Sequence, residues 1–226
     1  MGATLLLEKG ADRVQLLAFG KREEIPSSSH VCQIYARADE VAQIAAGLFS
    51  ATPYPHQDCC IYVGPPAIVA QIEALLRQLR VDVDGAKESG QFIFSSDRSG
   101  FLSQNRFDPF FLLSTHLEQV NRALRDNYEN VRMAIEMSWL SENVATPATI
   151  LKYEAMCDSV LTFQRRPIVI VAQYNASRLG EQITGEMMKL HPLAYVGKYL
   201  KRNPSYLNSE QYFLNILKAT RNRQDR

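Results

Sequence analysis

The polar residues best placed for chemistry in this sequence gather at the ends of its most apolar runs. HVCQIY carries Gln33 and Tyr35 late in the run. VRMAIEM reaches Glu136 and is followed at once by Ser138 and Trp139. RPIVIVAQY ends in Gln173 and Tyr174, with Asn175 next. Aromatic walls, one carboxylate and several amides are what a small-molecule pocket needs: apolar lining with a few directing polar groups. The same residues also fit an ordinary role, as strand-end residues making caps and loop hydrogen bonds, and spacing alone leaves both readings open.

Other chemistries find less support. His30 and Cys32 stand two apart, on one face of a strand, which suits metal ligation. His56 lies three residues before Cys59, and His191 precedes Pro192. Two neighbouring ligands do not close a site, so these residues read as structural and no metal is expected. No GxSxG, HExxH or DxDxDG pattern occurs. Cys157 sits in an apolar helical setting and reads as a buried thiol rather than a nucleophile. A phosphate loop needs GxxxxGK[ST], whose backbone N–H groups cradle the phosphates while the Lys reaches the terminal ones. Gly64-Pro65-Pro66 is followed by Ala67-Ile68-Val69-Ala70, and the first apolar run by Ala36-Arg37-Ala38-Asp39-Glu40. The dipeptides Gly20-Lys21 and Gly197-Lys198 fall outside that frame. ATP turnover is therefore not expected, and no cofactor is implied.

These residues must be held by a chain of 226 amino acids, 46% hydrophobic and 22% charged, which excludes a disordered segment and is long enough for one sizeable core. Its formal charge of +1 argues against a direct nucleic-acid or membrane-surface binder. The four cysteines, Cys32, Cys59, Cys60 and Cys157, form no CxxC pair, consistent with a reduced cytoplasmic protein. MGATLLLEKG meets charges too soon for a signal peptide, and Leu6 breaks the myristoylation pattern that Gly2 would begin. Pro167 to Ala172, the most apolar stretch, is too short to span a bilayer.

The positioning elements follow from periodicity. Strands are expected at Val31–Tyr35, Cys59–Val63, Val131–Met137 and Ile168–Gln173, adjacent in one sheet, with Cys59 and Cys60 on opposite faces. Short apolar pieces at Val81–Val83 and Phe92–Phe94 are further strand candidates. Helices are expected after an Asp39 cap (Val41, Ile44, Ala45, Leu48), along Ile68–Leu79, from Asp108-Pro109 to about Asn127 and from Thr146-Pro147 through Leu161. Two more are expected over roughly Ser177–Leu190 and from Ser209. Residues 1–29 read as a mixed segment closing in a Pro-Ser loop. Strands alternating with helices predict an α/β fold, a three-layer α/β/α domain with a mainly parallel sheet. The last helix puts Tyr212, Phe213, Ile216, Leu217 and Thr220 on one face and a basic end at Lys218, Arg221, Arg223 and Arg226. It reads as a packed helix with a solvated tail, or as a docking helix for a partner.

HVCQIY, GLF followed by CCIYV, GQF, RFDP, VRMAIEMSWL, LKYEAM, VAQYN and HPLAYVGKYLKRNPSY occur in this order. The series resembles the MEDS domain, the sensory domain of DcmR-type regulators of methylotrophs and methanogens, over residues 28–207. That leaves 1–27 as an N-terminal extension and 208–226 as a C-terminal basic amphipathic helix. The matching positions are His30, Cys32, Tyr35, Phe107, Asp108, Pro109, Arg132, Glu136, Trp139, Tyr153, Glu154, Gln173, Tyr174, His191, Pro192, Asn203 and Pro204. Two departures stand out: Gln57-Asp58 where the family usually has Gly-Glu, and Asn175 where an acid usually follows Gln-Tyr. If that acid binds a ligand in the family, the ligand here differs or is absent.

The resemblance implies a RecA/KaiC-like fold without its phosphate loop, and a sensory role toward simple hydrocarbon derivatives. With it, a single ligand site is expected in which Glu136, Trp139, Gln173 and Tyr174 converge near His30, Cys32 and Tyr35 at one end of the sheet. The expected function is a non-catalytic regulatory module that binds a small molecule and signals through protein contacts, with a kinase or transcription regulator as the kind of partner. An adaptor with a vestigial pocket and a residual nucleotide-binding protein are the alternatives.

Overall fold

The computed structural model describes residues 13–51, 57–96, 102–103, 106–141, 145–164 and 167–224. Its central sheet is built from β3 (Ser29–Tyr35), β4 (Asp58–Val63), β5 (Phe92–Ser95), β8 (Asn130–Glu136), β9 (Ile168–Asn175), β10 (Leu193–Val196) and β11 (Tyr199–Arg202). The order is β11-β10-β3-β9-β8-β4-β5, parallel throughout except for the edge strand β11. The four strands expected from sequence therefore lie side by side, β3-β9-β8-β4, in the α/β architecture expected. Their near-continuous burial is the signature of parallel strands covered on both faces.

One face of the sheet is covered by α1 (Ala38–Ser50), α2 (Pro66–Gln78) and α3 (Val83–Glu88). Val41, Ile44, Leu48 and Phe49 of α1 are fully buried there; each such side chain stabilises by about 1.5–3 kcal/mol. The other face is covered by α4 (Pro109–Arg125), α5 (Pro147–Gln164) and α7 (Glu181–Lys189). Cys59 packs into the second layer and Cys60 into the first, as strand alternation requires. A terminal helix α8 (Ser209–Gln224) lies against α5.

Several local expectations are corrected. The segment before β3 is a hairpin, β1 (Arg13–Ala18) and β2 (Lys21–Pro26), turning through Phe19 and Gly20, both at positive φ. Its alternate residues Val14, Leu16 and Ala18 are buried beside α1. The start of α1 is capped by Glu40, whose Oε2 accepts from the backbone N–H of Ala36 and Arg37, while Asp39 pairs with the Arg37 guanidinium. Val81–Val83 is not a strand; Asp82 accepts from the Gly85 N–H and starts α3 instead. The helix expected over Ser177–Leu190 is broken at Gly180, at φ +80°, into α6 (Ala176–Leu179) and α7. Gly2 and Leu6, His56 and Arg226 lie outside the described residues, and the face expected on α8 is described only as far as Ile216. Among the described residues no helix is long and apolar enough to cross a membrane.

Candidate functional site

Strand alternation divides the expected site. On β3, Gln33 and Tyr35 face the α1 layer, whereas His30 and Cys32 face the α5 layer. Gln173 and Glu136 join the first group; Tyr174 and Trp139 join the second. His30 also lies five residues from Tyr35, about 16 Å along the strand. The single convergence expected from sequence does not form, because neighbouring strand residues point to opposite faces.

The α1-side group forms a closed network at the carboxyl ends of the strands. The Tyr35 hydroxyl donates to Glu136 Oε1 at 2.6 Å, and the Ser138 N–H donates to the same oxygen at 2.9 Å. Ser138 Oγ lies 3.1 Å from the Tyr35 hydroxyl and accepts from the Asn175 N–H. Burial first, and then the Glu136 charge, push the Tyr35 phenol up, so it stays a neutral donor. Gln173 Nε2 donates to Gln33 Oε1 at 2.6 Å and to the Val41 carbonyl at 3.1 Å. These bonds tie β3, β8, β9 and α1 together and leave Gln173 Oε1 without a hydrogen-bond partner. Asn175, in place of the family's usual acid, accepts from the N–H groups of Ser177 and Arg178 and so caps α6.

Asp58, at the other departure, keeps a carboxylate in the core. It receives Arg132 Nε at 2.6 Å and Asn130 Nδ2 at 2.8 Å. Arg132 Nη1 also donates to the carbonyls of Gln15 and Leu48.

The α5-side group contains residues that sequence matched only as motif positions. Glu154 of α5 lies fully buried between His30 and His191. Its Oε2 is 3.2 Å from His30 Nε2 and 3.4 Å from His191 Nε2. The Tyr174 hydroxyl donates to Glu154 Oε1, and the two imidazole rings lie with centroids 3.9 Å apart, their planes tilted by 40°. Burial favours the protonated acid, but the imidazoles of His191 and His30 outweigh it and hold the Glu154 carboxyl down to about 2. Burial first, then the neighbouring His191, pull His30 down. Burial, reinforced by Glu154, raises the Cys32 thiol, which makes it a poor nucleophile. Glu154 and Asp158 are both buried on α5, and nothing in the sequence beyond the motif positions of Glu154 and His191 pointed to this cluster.

Beyond this layer, also at the carboxyl end of the sheet, an open cleft of about 610 Å³ lies between the N-termini of α4 and α5. The RFDP motif, whose β7 (Arg106–Phe107) pairs antiparallel with β6 (Leu102–Ser103), builds one wall: Asp108 accepts from the N–H groups of Phe110 and Phe111, and Pro109 begins α4. Ala148, Thr149 and Lys152 build the other, with Lys152 Nζ 4.5 Å from the Phe110 ring centre. Phe107 closes the floor, its ring 5.9 Å from both Trp139 and Tyr153. Trp139 thus backs the cleft, while none of the expected site residues lines it. Phe107 and Asp108 were legible as motif positions and Lys152 lies within LKYEAM; Thr149 carried no sequence signal.

Neither β–α connection in the α1 layer offers a phosphate cradle. β3 passes to α1 through Ala36 and Arg37 alone, and β4 passes to α2 through Gly64 and Pro65, with Pro66 next. The prolines have no N–H to give.

With that geometry in view, comparison with solved structures places the fold. A KaiC-like protein of the hyperthermophilic archaeon Pyrococcus horikoshii OT3 is similar at a TM-score of 0.56 and 13% identity, covering 85% of this chain and 86% of that one. The flagellar accessory protein FlaH of Methanocaldococcus jannaschii aligns at a TM-score of 0.49 and 13% identity, over 78% and 76% of the two chains. The fold is thus KaiC-like, as the resemblance implied. The model of the MEDS family (methanogen/methylotroph, DcmR sensory domain) matches residues 29–192, and the chain belongs to that family. The family is that of a sensory domain. No curated protein matches the chain in sequence.

Proposed function

We propose that the chain is a non-catalytic sensory module that takes a small, largely apolar organic molecule in the cleft between α4 and α5. The observation that carries this reading is the cleft itself. It joins aromatic surface to two cations, Arg106 and Lys152, and two helix N-termini, the mixture that fixes a small molecule's orientation. A simple hydrocarbon derivative with one polar end, such as a short alcohol or halide, fits that chemistry. The lack of a phosphate cradle at the β3–α1 and β4–α2 connections supports a non-catalytic reading over ATP turnover.

α5 offers the route outward. Its first turns carry Thr149 and Lys152 into the cleft. Its middle carries Asp158, whose carboxylate accepts from the Tyr206 hydroxyl at 2.8 and 2.9 Å and from the Ser209 N–H that opens α8. The exposed Leu214 and Ile216 of α8 give a surface through which a kinase or transcription regulator could read the state of α5.

A thermal-shift panel of short alcohols and halogenated alkanes, set against nucleotides, tests this. A ligand at 100 times its Kd should stabilise the fold by about 2.7 kcal/mol. Phe107→Ala should abolish the response. Stabilisation by Mg-ATP with none by the organic panel would overturn the proposal.

A further inference from the structure

We propose that His30, Glu154 and His191 form a binding site for one divalent transition-metal ion of the zinc type. The site is separate from the cleft and does not rest on the sensory reading.

The ligand atoms of the three residues all lie within 4.8 Å of one another. The two measured separations, 3.2 and 3.4 Å, match a tetrahedral edge. Metal–ligand arms of about 2.0–2.1 Å set that edge at roughly 3.3 Å. The side chains are 0–1% exposed, yet His30 Nε2, His191 Nε2 and Glu154 Oε2 have no hydrogen-bond partner. Each sits at ion-pair distance but outside hydrogen-bond geometry. Buried polar atoms are rarely left so.

Tautomer chemistry sharpens the point. His191 Nδ1 lies 2.7 Å from the Met187 carbonyl oxygen, so that nitrogen carries the hydrogen. The ring's Nε2 faces Glu154 Oε2 at 3.4 Å with no hydrogen bond between them. One metal ion would take a lone pair from all three and satisfy these atoms. Two of the three have the outer contacts of metal ligands: Nδ1–H of His191 is held by a backbone carbonyl and Glu154 Oε1 accepts from Tyr174, while His30 Nδ1 has no partner. Two imidazoles and one carboxylate select zinc, cobalt or nickel over magnesium and calcium, which favour all-oxygen sets. Three protein ligands leave a fourth position open.

The full chain, free of any histidine tag, should be refolded with zinc or cobalt, because so enclosed a site loads as the chain folds. Metal analysis after exhaustive dialysis should find about one ion per chain, and the cobalt form should show the visible bands of a tetrahedral site. Tyr174→Phe, which removes only the hydroxyl, should weaken binding by about 10–100-fold. Glu154→Gln should lose the ion, while His116→Asn should keep it. Wild-type protein that folds without retaining metal overturns the proposal whatever the variants do. So does a folded Glu154→Gln variant with wild-type metal content.

Discussion

Arg132→Met is the perturbation whose cost the structure specifies best. Arg132 and Asp58 are each about 2% exposed, and their charges meet at 2.6 Å. Methionine fills much of the arginine's volume but leaves the Asp58 carboxylate buried with only Asn130 for support. Removing one partner of a buried pair costs about 3–5 kcal/mol. The carbonyls of Gln15 and Leu48 also lose a charged donor, at roughly 1 kcal/mol or more each. A loss of at least about 4 kcal/mol is expected, against a total stability of about 5–15 kcal/mol for most domains. The chain has a single tryptophan, Trp139, so guanidinium unfolding followed by its emission reads the core directly. Adding Asp58→Asn removes the stranded charge, and the double variant should be more stable than Arg132→Met alone. A single-variant loss below about 1 kcal/mol, or simple additivity in the double variant, would refute the reasoning.

Gly47→Ala should invert the usual helix preference for alanine. A Cβ at Gly47 would stand 1.4 Å from the Leu17 carbonyl oxygen, so the β1–α1 contact must open. A loss at or above the roughly 1–3 kcal/mol of ordinary overpacking is expected in thermal unfolding; a gain would show that α1 does not pack on β1 this closely. Acid should weaken the fold through His116. Burial, only partly offset by the Glu154 charge, holds His116 down to about 4. As pH falls below about 6.5, the unfolded chain takes up a proton that the folded chain refuses until about 4. Stability should therefore fall across that window, by up to roughly 1.4 kcal/mol per pH unit. Denaturation midpoints from pH 7 to pH 4.5 should be flatter for His116→Asn, and identical slopes would defeat this assignment.

The sheet was legible because its strands are apolar runs of β-branched and aromatic residues between helical segments, a pattern that survives any detail of packing. The N-terminal hairpin was less so. β1 alternates cleanly, but its partner KREEIP is mostly exposed and charged, and only the Phe19-Gly20 turn marked the pairing. The site divided for a reason that was available in advance. Strand alternation, which separates Cys59 from Cys60, separates Tyr35 from His30 and Gln173 from Tyr174 in the same way. The cluster around Glu154 had no local spacing to betray it, since its members come from β3, α5 and the segment after α7. The cleft likewise depends on where two helix N-termini come to lie, which tertiary packing alone decides.

The central claim is that a small organic molecule sits between the N-termini of α4 and α5. A short brominated alcohol that stabilises the full chain in solution can be soaked into its crystals and located by the anomalous signal of bromine. The account predicts a bromine site between Phe107 and Lys152, lost in Phe107→Ala together with the stabilisation. A bromine site at the Tyr35–Glu136 end instead, with the cleft empty, would contradict it.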